Sequence, residues 1–290
     1  MKLLLIIFIT TLQLNLWASG TLATTERFQD VENRVDQLLA SGVPAKQILM
    51  VYDIDNTLLA MNQNLGSDQW FNWQSSLLGQ SSSDAAATDF SGLLDAQHLL
   101  FMVSKMHPPE SEIPQLVKRL QERKLTSIVL TSRGSDYRNV TERELKRNGY
   151  SFKQTAIGPF GGFPSTYLPY QLENPADDGL SIQEVEQFKL KNARPVSYMD
   201  GVYMTAGQHK GIMLKVLLHK SRANFSHIIF VDDHKKHTDR MIAAMKDHSH
   251  VYAFHYVKEQ GVVNEFSQGT KDQEVDGWKD LQEIISRYFF

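Results

Sequence analysis

The chain has 290 residues, 42% of them hydrophobic and 22% charged, with a formal net charge of -3. That is enough apolar material for one large globular domain or two small ones, and the charge balance excludes a basic field built for nucleic acid. With no cysteine in the chain, disulfides, thiolate zinc sites and a cysteine nucleophile are excluded together.

Met1 and Lys2 precede a short apolar run over residues 3–12, and the small residues Ala18, Ser19 and Gly20 follow. This pattern predicts a secretory signal peptide over residues 1–19. A mature domain over residues 20–290 would then lie in the periplasm or outside the cell, with no membrane segment left after cleavage. Phe28, Val31, Val35 and Leu38 recur at helical spacing and predict an amphipathic helix over residues 25–39, ended by Gly42 and Pro44. Residues 47–52 read as a buried strand whose end delivers Asp53 and Asp55 into a turn.

Residues 62–106 carry no strand alternation. They hold the aromatic cluster Trp70, Phe71 and Trp73, a serine-rich link at 81–83, and a helix from about 93 to 105. This is the composition of an insertion, bounded at about residues 61–109. Its aromatics could form its own core or stack on a base or sugar. Helical periodicity returns over 113–123, a second buried strand over 126–131 ends at Thr131, and a charged helix over 137–148 stops at Gly149. Residues 158–169 and 174–179 are loops, and a strand or hairpin lies within 196–205. Next come a helix over 211–220, a strand over 227–231 ending in Asp232 and Asp233, a helix near 239–246 and a strand over 251–255. Strands alternating with helices predict an α/β fold, a Rossmann-like, mainly parallel sheet covered on both faces, with ligands at the carboxyl ends of its strands.

Asp53 and Asp55, one residue apart at a strand end, point the same way and repel unless a cation or a proton intervenes. A calcium loop of the D-x-D type fails, because its sixth and twelfth positions are Leu58 and Asn64. Thr131 alone is compatible with ordinary strand-end turn chemistry. Arg133 suits either a substrate contact or a surface ion pair. His234 and His237, three apart beside Asp232, suit a zinc pair or a solvated helix start.

The order DIDNT, LTS, a lysine within GQHKG, and FVDD resembles the four motifs of the haloacid dehalogenase-like superfamily, over roughly residues 47–256 with interruptions. The run DIDNTLL with LGSDQWFNWQ further resembles an uncharacterised bacterial family within it, whose members often carry signal peptides. The resemblance implies a Mg²⁺-dependent phosphomonoester hydrolase acting on a small phosphorylated substrate. Asp53 would be the nucleophile and Asp55 the acid and base, whose presence favours an ester over a halide leaving group. Mg²⁺ would be held by the Asp53 carboxylate, the Asp55 carbonyl and Asp232, with Asp233 as an outer ligand or exchanging roles with Asp232. Thr131 would bond a phosphate oxygen. Lys210 would neutralise charge and hold Asp53; Gly207 and Gly211 bracket it, whereas Lys191 and Lys215 are the competing lysines. The insertion would be a helical cap that selects the substrate. A phosphotransferase with the same intermediate, or a secreted binding protein on this scaffold, are the alternatives.

Overall fold

The computed structural model describes residues 20–289. The signal-peptide reading falls on residues outside these. The described chain opens with strand β1 (Gly20–Thr25), followed by helix α1 (Gln29–Ala40), β2 (Ile48–Tyr52), β3 (Ala60–Met61), α2 (Asp68–Leu77), α3 (Phe90–Val103) and β4 (Met106–His107). It continues through α4 (Ile113–Glu122), β5 (Thr126–Thr131), α5 (Arg138–Arg147), α6 (Ile182–Gln187) and the hairpin β6 (Ser197–Met199) and β7 (Val202–Met204). Helix α7 (Lys210–Ser221), β8 (His227–Asp232), α8 (Lys235–Met245), β9 (His250–Tyr256), α9 (Gln260–Gln268) and α10 (Asp272–Phe289) complete it.

β2 shows how the sequence builds the sheet. All five of its residues are buried, and they alternate between two cores. Ile48, Met50 and Tyr52 join one apolar cluster with Val31 and Val35 of α1 and Leu116 of α4. Leu49 and Val51 join the opposite cluster with Ile212 and Val216 of α7 and Met241 of α8. A strand with helices on both sides reads as a continuous apolar run, and its period of two is expressed only in which core each residue enters. The sheet order is β1-β9-β8-β2-β5-β7-β6, parallel except for the terminal β6-β7 pair. The protein is thus an α/β fold with a mainly parallel, Rossmann-like sheet.

From β2 the chain moves outward to β5 and β7, then returns across to β8 and continues outward to β9. The reversal falls between β2 and β8, and a crevice opens beyond the carboxyl ends of strands at such a point. Asp53 follows β2 and Asp232 ends β8, so this switch point is where the chain places them.

Three features depart from the sequence reading. β1 lay in a stretch assigned to no strand: its Gly-Thr-Leu-Ala-Thr-Thr sequence is half exposed at a sheet edge, where burial imposes no alternation. The insertion is not free of strands, because β3 and β4 pair antiparallel at its base, joining Ala60 to His107 and Met61 to Met106. The largest addition is α9 and α10, which lie against the insertion: Trp70, Leu93 and Leu100 share a third apolar cluster with Phe266 and Trp278. Trp70 is a core residue whose ring centroid lies 6.3 Å from that of Trp278. α2 starts where the Ser67 side chain accepts from the Trp70 N–H, and α3 where Asp89 accepts from the Gly92 N–H. No helix among the described residues is long and apolar enough to cross a membrane.

Candidate functional site

The loop after β2 is wound tightly around one carbonyl. The N–H groups of Thr57, Leu58 and Leu59 all donate to the Ile54 oxygen, at 3.1, 3.0 and 2.9 Å. Asn56 takes a left-handed conformation, φ 53°, to make the turn. The Asp53 N–H donates to Val231 O of β8 at 2.9 Å, which ties the loop to the neighbouring strand.

At the switch point, Lys210 Nζ lies 2.6 Å from Asp53 Oδ1 and 2.6 Å from Asp232 Oδ2. The lysine side chain is 1% exposed and the two carboxylates 6% and 0%. Lys210 is the first residue of α7, where the His209 ring accepts from the Ile212 N–H at 3.2 Å. Lys215 instead pairs with Glu184, and Lys191 is exposed with its carbonyl accepting from Tyr170. Burial pushes the Asp53 carboxyl above the usual carboxylate range, against the pull of Lys210. Burial also opposes the charge on Asp232, but Lys210 and His237 outweigh it and hold that carboxyl below the usual range. Desolvation likewise disfavours the Lys210 ammonium, and its two carboxylates overcome it. Two neighbouring buried acids thus differ: Asp232 is fixed as an anion while Asp53 is not.

Asp232 accepts from several donors. Besides Lys210, it accepts from the His234 N–H at 2.9 Å and from His237 Nδ1 at 3.1 Å. Burial lowers the pKa of His237 against the pull of Asp232. Asp233 differs: its side chain is 13% exposed, and Oδ1 has no hydrogen-bond partner among the described residues. Burial pushes its carboxyl well above the ordinary range, opposed by His234. His234 Nε2 lies 3.1 Å from Asp68 Oδ2 at the start of α2, and this bond holds the imidazole up to about 10, as a cation.

Asp55 is held from the other side. Arg133 donates to both its oxygens, at 3.0 and 2.7 Å, and a third N–H donates to Thr141 Oγ1 at 2.9 Å. The guanidinium carbon sits 4.2 Å over the Phe101 ring. Such a fork fixes the carboxylate plane. Asp55 remains 24% exposed, while Arg133 is 4% exposed. Thr131 is fully buried; its hydroxyl accepts from the Arg133 N–H at 3.2 Å and its carbonyl from Thr205 Oγ1 at 2.7 Å, so it anchors the turn that carries Arg133.

The structure therefore brings Asp53, Asp232 and Lys210 into direct contact. It sets Asp55 and Thr131 around Arg133 on one flank and Asp233 on the other. Asp68 and Arg133 are the partners that residue spacing did not assign. The tryptophan-rich segment containing Asp68 was a visible signal, and so was the position of Arg133 two residues past a strand end. His234 and His237 stand at the partly exposed start of α8, and each is also bonded to a carboxylate.

A hard divalent cation fits this donor set. Asp53 and Asp232 offer buried carboxylate oxygens around Lys210, and a buried oxygen without a partner, as on Asp233 next along the chain, is costly unless a donor or cation meets it. Ligand atoms of Asp53, Asp232 and His237 lie within 4.8 Å of one another, as do those of Asp68, Asp233 and His234.

Fold and site together define an α/β protein with an acidic, lysine-bridged centre at the switch point of its sheet. The chain belongs to the family described as "Protein of unknown function (DUF2608)", whose model matches residues 24–289. No curated protein and no solved structure matches it.

Proposed function

We propose that the chain is a Mg²⁺-dependent phosphomonoester hydrolase, on a scaffold like that of the haloacid dehalogenase-like superfamily, working through an aspartyl-phosphate at Asp53. The observation that carries this reading is the Lys210 ammonium shared by Asp53 and Asp232 at adjacent strand ends, with Asp55 two residues further on. A carboxylate attacking a phosphate ester meets negative charge, and a buried cation against the nucleophile is what such an attack requires. Asp53, the Asp55 carbonyl and Asp232, with Asp233 beside them, would hold Mg²⁺, which supplies further charge neutralisation on the phosphoryl oxygens.

An Asp53 oxygen attacks phosphorus, the bond from phosphorus to the ester oxygen breaks, and the departing alkoxide takes a proton from Asp55. Asp55 then removes a proton from the water that attacks the aspartyl-phosphate, releasing inorganic phosphate and restoring Asp53. Both Asp55 oxygens accept from Arg133, so proton transfer entails releasing one of those two bonds. Arg133 orients Asp55, and Thr131 holds Arg133. Transfer of the same phosphoryl group to another alcohol is the competing outcome, decided by whether the cleft admits water.

The test is a panel of phosphate esters assayed with and without Mg²⁺, on the wild-type chain and on Asp53→Asn. The reading requires turnover that needs the metal and is lost in the variant while its circular dichroism is unchanged. Metal-independent turnover, or full activity in Asp53→Asn, would overturn it. The proposal includes export of the mature chain to the periplasm or beyond; N-terminal sequencing of the cellular protein checks it, expecting a start near residue 20.

A further inference from the structure

A cleft of about 470 Å³ opens beside the catalytic centre. One wall carries Asn56 and Asp233, from the loops that follow β2 and β8. The second comes from α2, with Gln69, Asn72 and Trp73, and the third from the end of the chain, with Gln260, Ser267 and Lys271. The volume suits a small organic ligand. We propose that this cleft receives the alcohol part of the substrate, and that this alcohol is neutral, rich in hydroxyls and of sugar size. The inference rests on the phosphomonoester reading above and names its substrate class.

Four observations select that chemistry. Four carboxamides and a serine hydroxyl line the cleft, and each such group both donates and accepts, as a hydroxyl does. Two of these groups also carry an atom that the protein leaves unmet: Asn56 Nδ2 and Gln69 Oε1 are buried without a partner among the described residues. Unmet buried donors and acceptors on lining residues favour a partner offering both.

Charge argues against an anionic alcohol. His234 is already engaged by Asp68 and Asp233, which leaves Lys271 as the one lining cation outside a carboxylate pair among the described residues. Lys271 Nζ donates to Gly269 O and lies 4.6 Å from the Phe266 ring centroid and 6.0 Å from that of Trp73. A second phosphate or a carboxylate would meet the Asp233 and Asp68 carboxylates, which line two of the walls. The aromatic pair argues against a base: Trp73 and Phe266 stand edge to face at 70°, with centroids 6.1 Å apart, so they form no parallel slot. The Lys271 ammonium already lies over both rings.

The placement makes α9 and the Lys271 turn after it part of substrate selection, although they lie more than 200 residues after Asp53 in the chain. The experiment compares kcat/KM for glucitol 6-phosphate, phosphoserine, a nucleoside monophosphate and phenyl phosphate in the full chain and in Asn72→Ala and Lys271→Ala. Glucitol 6-phosphate should be preferred over the other three by tenfold or more. Each variant should lose about tenfold on glucitol 6-phosphate, through KM, and lose less on phenyl phosphate, so that the preference between the two esters falls. A second readout needs no turnover: tryptophan fluorescence of Asp53→Asn titrated with glucitol 6-phosphate, with and without Lys271→Ala.

Preference for phosphoserine or the nucleotide, or equal losses on all esters, would overturn this inference and leave the hydrolase reading standing. Binding of glucitol 6-phosphate that depends on Lys271, with no ester cleaved by the wild-type chain, would support the cleft and overturn the hydrolase. Neither binding nor cleavage would overturn both.

Discussion

Replacing Lys210 by methionine keeps most of the side-chain volume and removes the ammonium between two buried acids. Both carboxylate oxygens lie 2.6 Å from Nζ, so they are at most about 5 Å apart. Two unit charges at about 5 Å repel by about 3 kcal/mol at an effective dielectric of about 20. That agrees with the roughly 3 to 5 kcal/mol expected when one partner of a buried ion pair is removed. The carboxyls have an escape, because Asp53 is already displaced upward by burial and takes a proton as the pH falls. The loss should therefore be about 3 kcal/mol at pH 8 and shrink to about 1 kcal/mol at pH 5. Urea titrations followed by tryptophan fluorescence at the two pH values measure it. A loss below about 1 kcal/mol at pH 8, or an equal loss at both, would refute the reasoning, since the ammonium would then not be compensating two buried charges.

Arg133→Lys keeps the charge but not the fork on Asp55; turnover of an alkyl phosphate should fall on the order of 10- to 100-fold, with Mg²⁺ affinity by calorimetry unchanged. His209 is lowered to about 4 by burial, below an unfolded value of about 6.5, so the unfolded chain binds the proton first. Its contribution is complete above about pH 6.5 and is lost as the pH falls toward 4, by up to about 3 kcal/mol. His209→Asn retains a helix-capping acceptor and should flatten that part of the stability profile in urea titrations at pH 7 and 4.5. Gly211→Ala would set a methyl 2.7 Å from both Ala244 Cβ and the Arg240 carbonyl, so α7 and α8 must part; a loss of about 1 to 3 kcal/mol in the same assay is expected.

Much of this architecture was readable because burial on both faces leaves few alternatives. The strand over 126–131 appears with the predicted bounds, and the hairpin lies within 196–205, since apolar runs ended by turn residues have one economical placement. β1 escaped because an edge strand of threonines is exposed enough to need no alternation. Asp53, Lys210 and Asp232 were legible as residue types at strand and helix ends. The Arg133 fork on Asp55 and the Asp68 bond to His234 were not, because side-chain pairs 78 and 166 residues apart are products of packing. The same holds for the cleft: nothing in the local pattern around Lys271 says that α10 begins opposite Trp73.

The most direct test of the central claim is to trap the phosphorylated protein. The full chain is mixed with a turned-over phosphate ester and Mg²⁺, quenched in acid within milliseconds, reduced with borohydride and digested for mass spectrometry. An aspartyl-phosphate is reduced to homoserine, so the account predicts homoserine at position 53 that disappears when the ester is omitted. Conversion at another aspartate, or steady turnover with position 53 unmodified at every quench time, would contradict it.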